Sequence, residues 1–373
     1  MSDYLPLVHL YIHVPFCARR CSYCDFAIAV RREVPSQQFV DAALAEWRTW
    51  QAHPAWIDSP SLATIYLGGG TPSHLDAGQL DRLISTIAGE RAIDPDAEIT
   101  LEANPEDVTH ANATAWLAAG VNRISLGVQS FDDAVLTWMH RVHDAAAVSS
   151  AMSMLRSAGF TNVSVDLIFA LPEALQRDWA RDLDMALALE PEHLSLYGLT
   201  IEEGTPLGRW TARGESMPSP DERYAAEYLA AHRALTAAGF EHYEVSNAGR
   251  EGHRARHNSA YWRRAPFIGL GPSAHSGFGS RRSWNVREWA QYQRLADAHA
   301  TVRAEEETLN AEQLRLEELY LGLRTTEGLA SELLPATAGV AWAASGWAEV
   351  ADGRVRLTPE GWLRLDALVR SVA

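Results

Sequence analysis

The sequence contains no lysine; all 32 basic residues among its 373 are arginine. That excludes Schiff-base and pyridoxal-phosphate chemistry, which need a lysine amine. It also excludes a Walker A loop, whose glycines are followed by lysine. Cysteine is nearly as scarce. Cys17, Cys21 and Cys24 are the only three, an odd number crowded into eight residues, so a disulfide framework is excluded. Positive charge is in deficit: 32 basic against 48 acidic residues gives a net charge of −16. That tells against a nucleic-acid grip driven by phosphate neutralisation and against a broadly basic membrane-binding face. No run approaches the ~20 apolar residues of a membrane span. Met1–Ser2–Asp3–Tyr4 lacks the basic region and apolar core of a signal peptide. The expected location is the cytoplasm, with no nucleic-acid partner and at most peripheral membrane contact.

What is present is an ordinary globular composition, 47% hydrophobic and 21% charged, long enough for two domains or one large α/β domain with an appendage. Short β-rich runs at Val8–Val14, Ala63–Leu67, Glu98–Glu102, Arg123–Val128, Asn162–Ile168 and His193–Leu199, with a weaker one at Glu241–Val245, alternate with amphipathic runs. The helical ones are Ser36–Gln51, Ala77–Ile87, Asn112–Ala119, Ala145–Ala158, Trp179–Leu189 and Asp221–Ala238. Such alternation builds βαβ units and a parallel sheet, here a barrel or an open part of one. Chemistry in such folds sits at the C-terminal ends of the strands. The polar and Gly-rich clusters fall there: Gly68–Pro72, Glu102–Pro105 and Gln129–Phe131 follow strands, and Asp166 lies within one. From about Asn247 the pattern changes. Arg, Gly, Pro and aromatic residues mix through Gly249–Trp289, then a helical run returns at Leu309–Leu323. A strand at Val355–Leu357 and a last helix close a small, winged-helix-like C-terminal domain. The expected division is 1–247, a connecting 248–305, and 306–373.

The three cysteines follow the first strand in the spacing C-x₃-C-x₂-C. Three thiolates on one tight loop can each bind one iron of a [4Fe–4S] cluster, which normally takes four cysteines. With no fourth in the chain, one iron is left for another ligand. The amino and carboxylate groups of S-adenosylmethionine (SAM) fill that place in the known use of this spacing, where electron transfer cleaves the sulfonium and leaves a 5′-deoxyadenosyl radical. Two other readings stand beside it: a zinc site with His13 as fourth ligand, or three buried thiols. Zinc sites usually pair two knuckles far apart in sequence, and no second knuckle is present.

The segment Tyr11–Phe26, the turn Gly68–Gly69–Gly70–Thr71–Pro72 and the run His257–Asn258–Ser259–Ala260–Tyr261–Trp262 resemble the radical-SAM proteins of the oxygen-independent coproporphyrinogen oxidase group. The last run fits the HNxxYW motif of that group's heme-chaperone branch. The likeness extends from Tyr11 to about Leu365. It implies a partial (β/α)₆ radical-SAM barrel with a C-terminal helical domain, and as cofactors and cargo a [4Fe–4S] cluster on Cys17, Cys21 and Cys24, SAM and heme. It further implies that Gly69, Gly70 and Thr71 hold the methionine end of SAM. Glu102 would accept from the ribose, Arg141 would pair with the SAM carboxylate, Gln129 and Asp166 would touch the nucleoside, Tyr11 would pack near the sulfonium, and Thr200 would join them. The implied partners are heme, heme-accepting proteins and a reductant such as flavodoxin or ferredoxin, with a homodimer as one arrangement.

One departure from the family pattern stands out. Where the group carries Gly-Leu-Pro-Gly-Gln-Thr, this chain has Ala170–Leu171–Pro172–Glu173–Ala174–Leu175, so this loop is expected to differ in shape. Between oxidase and chaperone, the sequence leans to the chaperone. The oxidase motif continues to a further cysteine where this chain has Phe26, and the oxidase has a longer extension ahead of its cluster. The positive feature is His257: a neutral imidazole is a natural heme ligand, with Tyr261 and Trp262 as flat apolar surface. Arg263 and Arg264 are candidates for the heme propionates, and His275 is a second candidate ligand. The alternatives are an oxygen-independent coproporphyrinogen III oxidase and a radical-SAM enzyme acting on another substrate.

Overall fold

The sheet owes its form to a period-two pattern with an unusual sense. In each of six strands the residues facing the surrounding helices are apolar, while the alternate residues facing inward are mostly polar, Ile168 and the glycines apart. The strands are β1 (His9–Val14), β2 (Leu62–Gly69), β3 (Ile93–Ala103), β4 (Arg123–Gln129), β5 (Val163–Phe169) and β6 (His193–Gly198). Leu10, Ile12, Ile65, Leu67, Leu101, Ile124, Leu126, Val165 and Leu194 form the buried core under the helices. Inward-facing residues bond to one another across strands instead: His9 to Thr64, Tyr66 to Glu102, Ser125 to Asp166, Ser164 to His193. A barrel interior is normally packed with branched apolar side chains; here it is a column of hydrogen-bonding groups.

The computed structural model describes residues 9–53 and 61–373; Val8 and the Met1–Tyr4 segment lie outside them. Strands β1 to β6 run parallel in sequence order, so the expected partial (β/α)₆ barrel is present. Helices α1 (Ser36–Trp50), α2 (Ala77–Glu90), α3 (His110–Ala118), α4 (Asp133–Trp138), α5 (Ala145–Ala158) and α6 (Trp179–Ala188) cover it. Most start at a side-chain cap: Asp76, Thr109, Asp132, Asp144 and Asp178 each accept from a backbone N–H of the first turn, worth ~1 kcal/mol apiece. Beyond β6 come α7 (Pro206–Ala212) and α8 (Asp221–Ala237).

Past residue 240 the structure departs from the expected connector. Strands β7 (Glu241–Glu244) and β8 (Asn247–Gly249) extend the sheet beyond β6. After α9 (Arg256–Trp262), strands β9 (Phe267–Leu270), β10 (His275–Phe278), β11 (Arg281–Asn285) and β12 (Arg303–Thr308) extend it beyond β1, with α10 (Trp289–Asp297) between the last two. Among the described residues the sheet has 12 strands in the order β12-β11-β10-β9-β1-β2-β3-β4-β5-β6-β8-β7. The expected breaks at 247/248 and 305/306 therefore both fall inside strands of one sheet. Helix α11 (Ala311–Leu323), α12 (Ala336–Ala344) and a three-stranded sheet, β13 (Leu329–Ala330), β14 (Ala348–Ala351) and β15 (Arg354–Leu357), make the C-terminal unit. Among the described residues no helix is long and apolar enough to cross a membrane.

Helix α9 plugs the lower, N-terminal end of the barrel. It lacks a side-chain cap of its own. The Glu98 carboxylate of β3 accepts from the backbone N–H groups of Arg256 and His257, at 3.1 and 3.0 Å, and takes that role.

Candidate functional site

The upper end of the barrel holds a cavity of about 460 Å³ walled by Cys17, Cys21 and Cys24. Their loop is pinned from three sides. Phe16–Cys17 pairs with Ala29–Val30, Ser22 N–H donates to Met139 O, and Leu207 N–H donates to Ser22 O. Thr71 Oγ1 donates to Cys17 Sγ at 3.4 Å and Arg141 Nη1 to Cys21 Sγ at 3.6 Å. Such donors suit thiolate sulfur, as expected around an iron–sulfur cluster. The zinc alternative fares worse. His13, its fourth ligand, has both ring nitrogens engaged, Nδ1 with Tyr11 Oη at 3.0 Å and Nε2 with Ala27 O at 2.9 Å.

Eight of the nine expected SAM residues line this cavity: Gly69, Gly70, Thr71, Glu102, Gln129, Arg141, Asp166 and Thr200. The Gly turn is required by space. A Cβ on Gly70 would lie 2.7 Å from Pro15 C, and one on Gly69, at φ +107°, would lie 2.5 Å from the His13 ring, closer than atoms pack. Glu102 is held at both oxygens: Tyr66 Oη donates to Oε1 at 2.7 Å and Gly69 N–H to Oε2 at 3.0 Å. Burial pushes its carboxyl up to about 7, against the pull of these donors. Burial likewise raises Asp166, which accepts from Ser125 and Ser164. Arg141 donates through Nη2 to Asn104 Oδ1 and Gly127 O, and its Nε–H is buried without a partner among the described residues. A buried unpaired donor on a cation is costly, and a carboxylate arriving from the cavity is the group that would satisfy it. The donor set thus fits both the cluster and SAM.

Tyr11 is the exception. It lies one layer below the cavity floor, its hydroxyl on His13 and its ring stacked on Tyr66 with centroids 6.1 Å apart. The reason is strand arithmetic: β1 climbs to Val14 before the Cys loop begins, so Tyr11 sits lower on its inward face.

The heme-ligand assignment to His257 is corrected. His257 is 1% exposed. Its Nδ1 is hydrogen-bonded to Thr64 Oγ1 at 2.7 Å and its Nε2 to Tyr261 Oη at 2.8 Å. The ring stacks on Tyr66 at 5.2 Å, and burial together with His9 pushes it down to about 3. No nitrogen is left for iron, and the residue sits in the plug at the barrel's lower end. The neighbours are committed too. Arg263 pairs with Glu327, Arg264 with Glu317 and Glu318, and the guanidinium of Arg324 stacks 3.9 Å over Trp262. His275 is exposed at the edge strand β10, stacked on Trp284.

Sequence reasoning missed Tyr66, Asn104 and Ser125, which orient Glu102, Arg141 and Asp166. Their signal was the period-two placement of polar residues on the inward register. The altered loop after β5 keeps a left-handed turn: Ala170 has φ +57°. It is fastened by Ala170 N–H and Arg177, which both donate to Glu227 Oε2 at 2.7 Å.

Comparison with known proteins gives a consistent picture. Residues 11–186 match the radical SAM superfamily. The heme chaperone HemW of Mycobacterium tuberculosis is 36% identical over 370 residues, 97% of this chain and 94% of that protein. The HemW of Escherichia coli is 36% identical over 272 residues, 73% and 70% of the two chains. Among solved structures, the coproporphyrinogen III oxidase HemN from Escherichia coli superposes with a TM-score of 0.81 over 99% of this chain and 90% of its own, at 22% identity, a likeness of fold.

Proposed function

The chain belongs to the radical SAM superfamily and, within it, to the heme chaperone HemW family, and from that premise we propose that it binds heme and delivers it to heme-accepting proteins in the cytoplasm. A bound [4Fe–4S] cluster with SAM supplies one-electron reductive cleavage chemistry, for which a flavodoxin or ferredoxin is the proposed electron donor. Cys17, Cys21 and Cys24 would hold the cluster. Arg141 would take the SAM carboxylate on its free Nε–H, Glu102 would accept from the ribose hydroxyls, and Gly69–Thr71 would admit the methionine end where no side chain fits.

The observation that carries this reading is the gathering of the three cysteines and eight SAM candidates around one cavity, in a chain alike to a heme chaperone along 97% of its length. The test is an anaerobic titration of the reconstituted protein with heme, followed by mixing with an apo-hemoprotein. Binding of heme and its appearance in the acceptor support the reading. Absence of heme binding together with decarboxylation of coproporphyrinogen III overturns it in favour of the oxidase.

A further inference from the structure

With His257 spent on Thr64 and Tyr261, a heme iron needs another ligand. Two histidines line the upper cavity, His74 and His140. His74 has its Nε2 on Asp107 at 2.8 Å, which leaves it one ring nitrogen. His140 has both. Its ring meets Trp210 of α7 edge-on, with centroids 5.5 Å apart, and no hydrogen bond among the described residues engages either ring nitrogen. The half-buried side chain therefore stands at the cavity wall with lone-pair capacity unused.

The surroundings suit a macrocycle. The wall of the cavity also carries Phe26 and Tyr197, which are 57% and 45% exposed, and Val142, which is 47% exposed. Large apolar groups left open around one opening mark a surface that something apolar covers. Arg19, exposed at the same opening, has no ion pair among the described residues and offers the charge that an anionic propionate needs. The deeper wall is the polar set assigned to SAM, so a macrocycle would cap the opening rather than fill the cavity. A cap that leaves one edge in solvent is also what hand-over to a second protein requires.

We propose that heme lies across the mouth of the barrel with His140 as its iron ligand, held by the apolar faces of Phe26, Tyr197 and Val142 and by Arg19 at a propionate. The inference rests on the heme-binding reading above. The imidazole nitrogen contributes a lone pair to the iron, and no electron is transferred in forming that bond.

His140 has φ +61°, a backbone conformation glycine adopts freely. His140→Gly therefore removes the ligand without loading the fold. Ferric heme should shift its Soret band on the wild-type chain to a histidine-ligated position. On the H140G variant the affinity should fall at least tenfold and that spectrum should be lost. Free imidazole added to H140G should restore it. An unchanged spectrum and affinity in H140G, with wild type binding heme, overturns the assignment and leaves the heme reading standing. Weakened binding that imidazole does not restore also overturns the ligand role. Failure of the wild-type chain to bind heme at all overturns both.

Discussion

A single carboxylate, Glu102, shows how much of the site depends on neighbours on the adjacent strand. It is fixed by Tyr66 from β2 and by the N–H of Gly69, so it meets a ligand with its orientation already set. Glu102→Ala should weaken SAM binding roughly tenfold or more with the cluster retained, since stranding hydroxyl donors costs about 1–3 kcal/mol; isothermal titration measures it, and unchanged affinity means the ribose lies elsewhere. His257 makes the opposite point. Removing it strands the Tyr261 hydroxyl, at about 1–3 kcal/mol, while Thr64 keeps its bond to His9. H257A should therefore lower the denaturant midpoint while folded protein keeps its heme spectrum. Full stability with heme binding lost would restore His257 as a ligand. Ala170, at φ +57°, occupies a conformation that costs an L-residue of order 1 kcal/mol. A170G should stabilise the chain by about that amount in a urea titration, and destabilisation would show that the Ala170 methyl is needed for packing.

Among the elements, the Cys loop carries the strongest expectation. Anaerobic reconstitution should give about four irons and four sulfides per chain. Serine at Cys17, Cys21 or Cys24 should each abolish the cluster absorption, and full cluster in all three variants would contradict the assignment. Strands β1 to β6 and helices α1, α2, α3, α5, α6 and α8 were legible because Gly, Pro and Asp punctuate long runs of clean periodicity; the six-residue α4 was not. Strands β9 to β12 were not. Each has four to six residues, and β12 is exposed throughout and reads Arg-Ala-Glu-Glu-Glu-Thr, with no apolar face to announce a strand. Sheet pairing with β11 overrides its weak propensity. Of the eight cavity residues, Gly69, Gly70, Thr71, Glu102, Gln129 and Thr200 sit at or just past strand ends, where the strand rule looks for them, whereas Arg141 and Asp166 were assigned through the family resemblance. The orientation of His257 was not, although its spacing from Tyr261 held a clue: residues four apart on a helix face each other, and their rings meet at 4.8 Å.

Across the whole molecule, the sheet extension is bolted to the barrel through one buried acid. Glu46 of α1 accepts from Gly271 N–H, Asn285 Nδ2 and Tyr292 Oη at 2.9, 2.7 and 2.6 Å, and burial pushes its carboxyl from 4.5 up to about 7. The folded chain then holds a proton that the unfolded chain has released between these two values. The contribution of Glu46 to stability should accordingly fall as pH rises from about 4.5 to 7 and level off above that, while buried histidines such as His257, held low, contribute in the opposite sense. Glu46→Gln should remove that contribution, read as the difference between variant and wild-type thermal melts across this range at fixed ionic strength, and a difference that does not change with pH would place the titration elsewhere. The central claim is that this barrel carries heme instead of oxidising its precursor. The measurement that tests it most directly incubates the reconstituted, reduced protein anaerobically with SAM and coproporphyrinogen III and assays tetrapyrrole products. The expected result is intact coproporphyrinogen III, from a preparation that takes up added heme. Stoichiometric or catalytic formation of protoporphyrinogen, with both propionates decarboxylated, would contradict it.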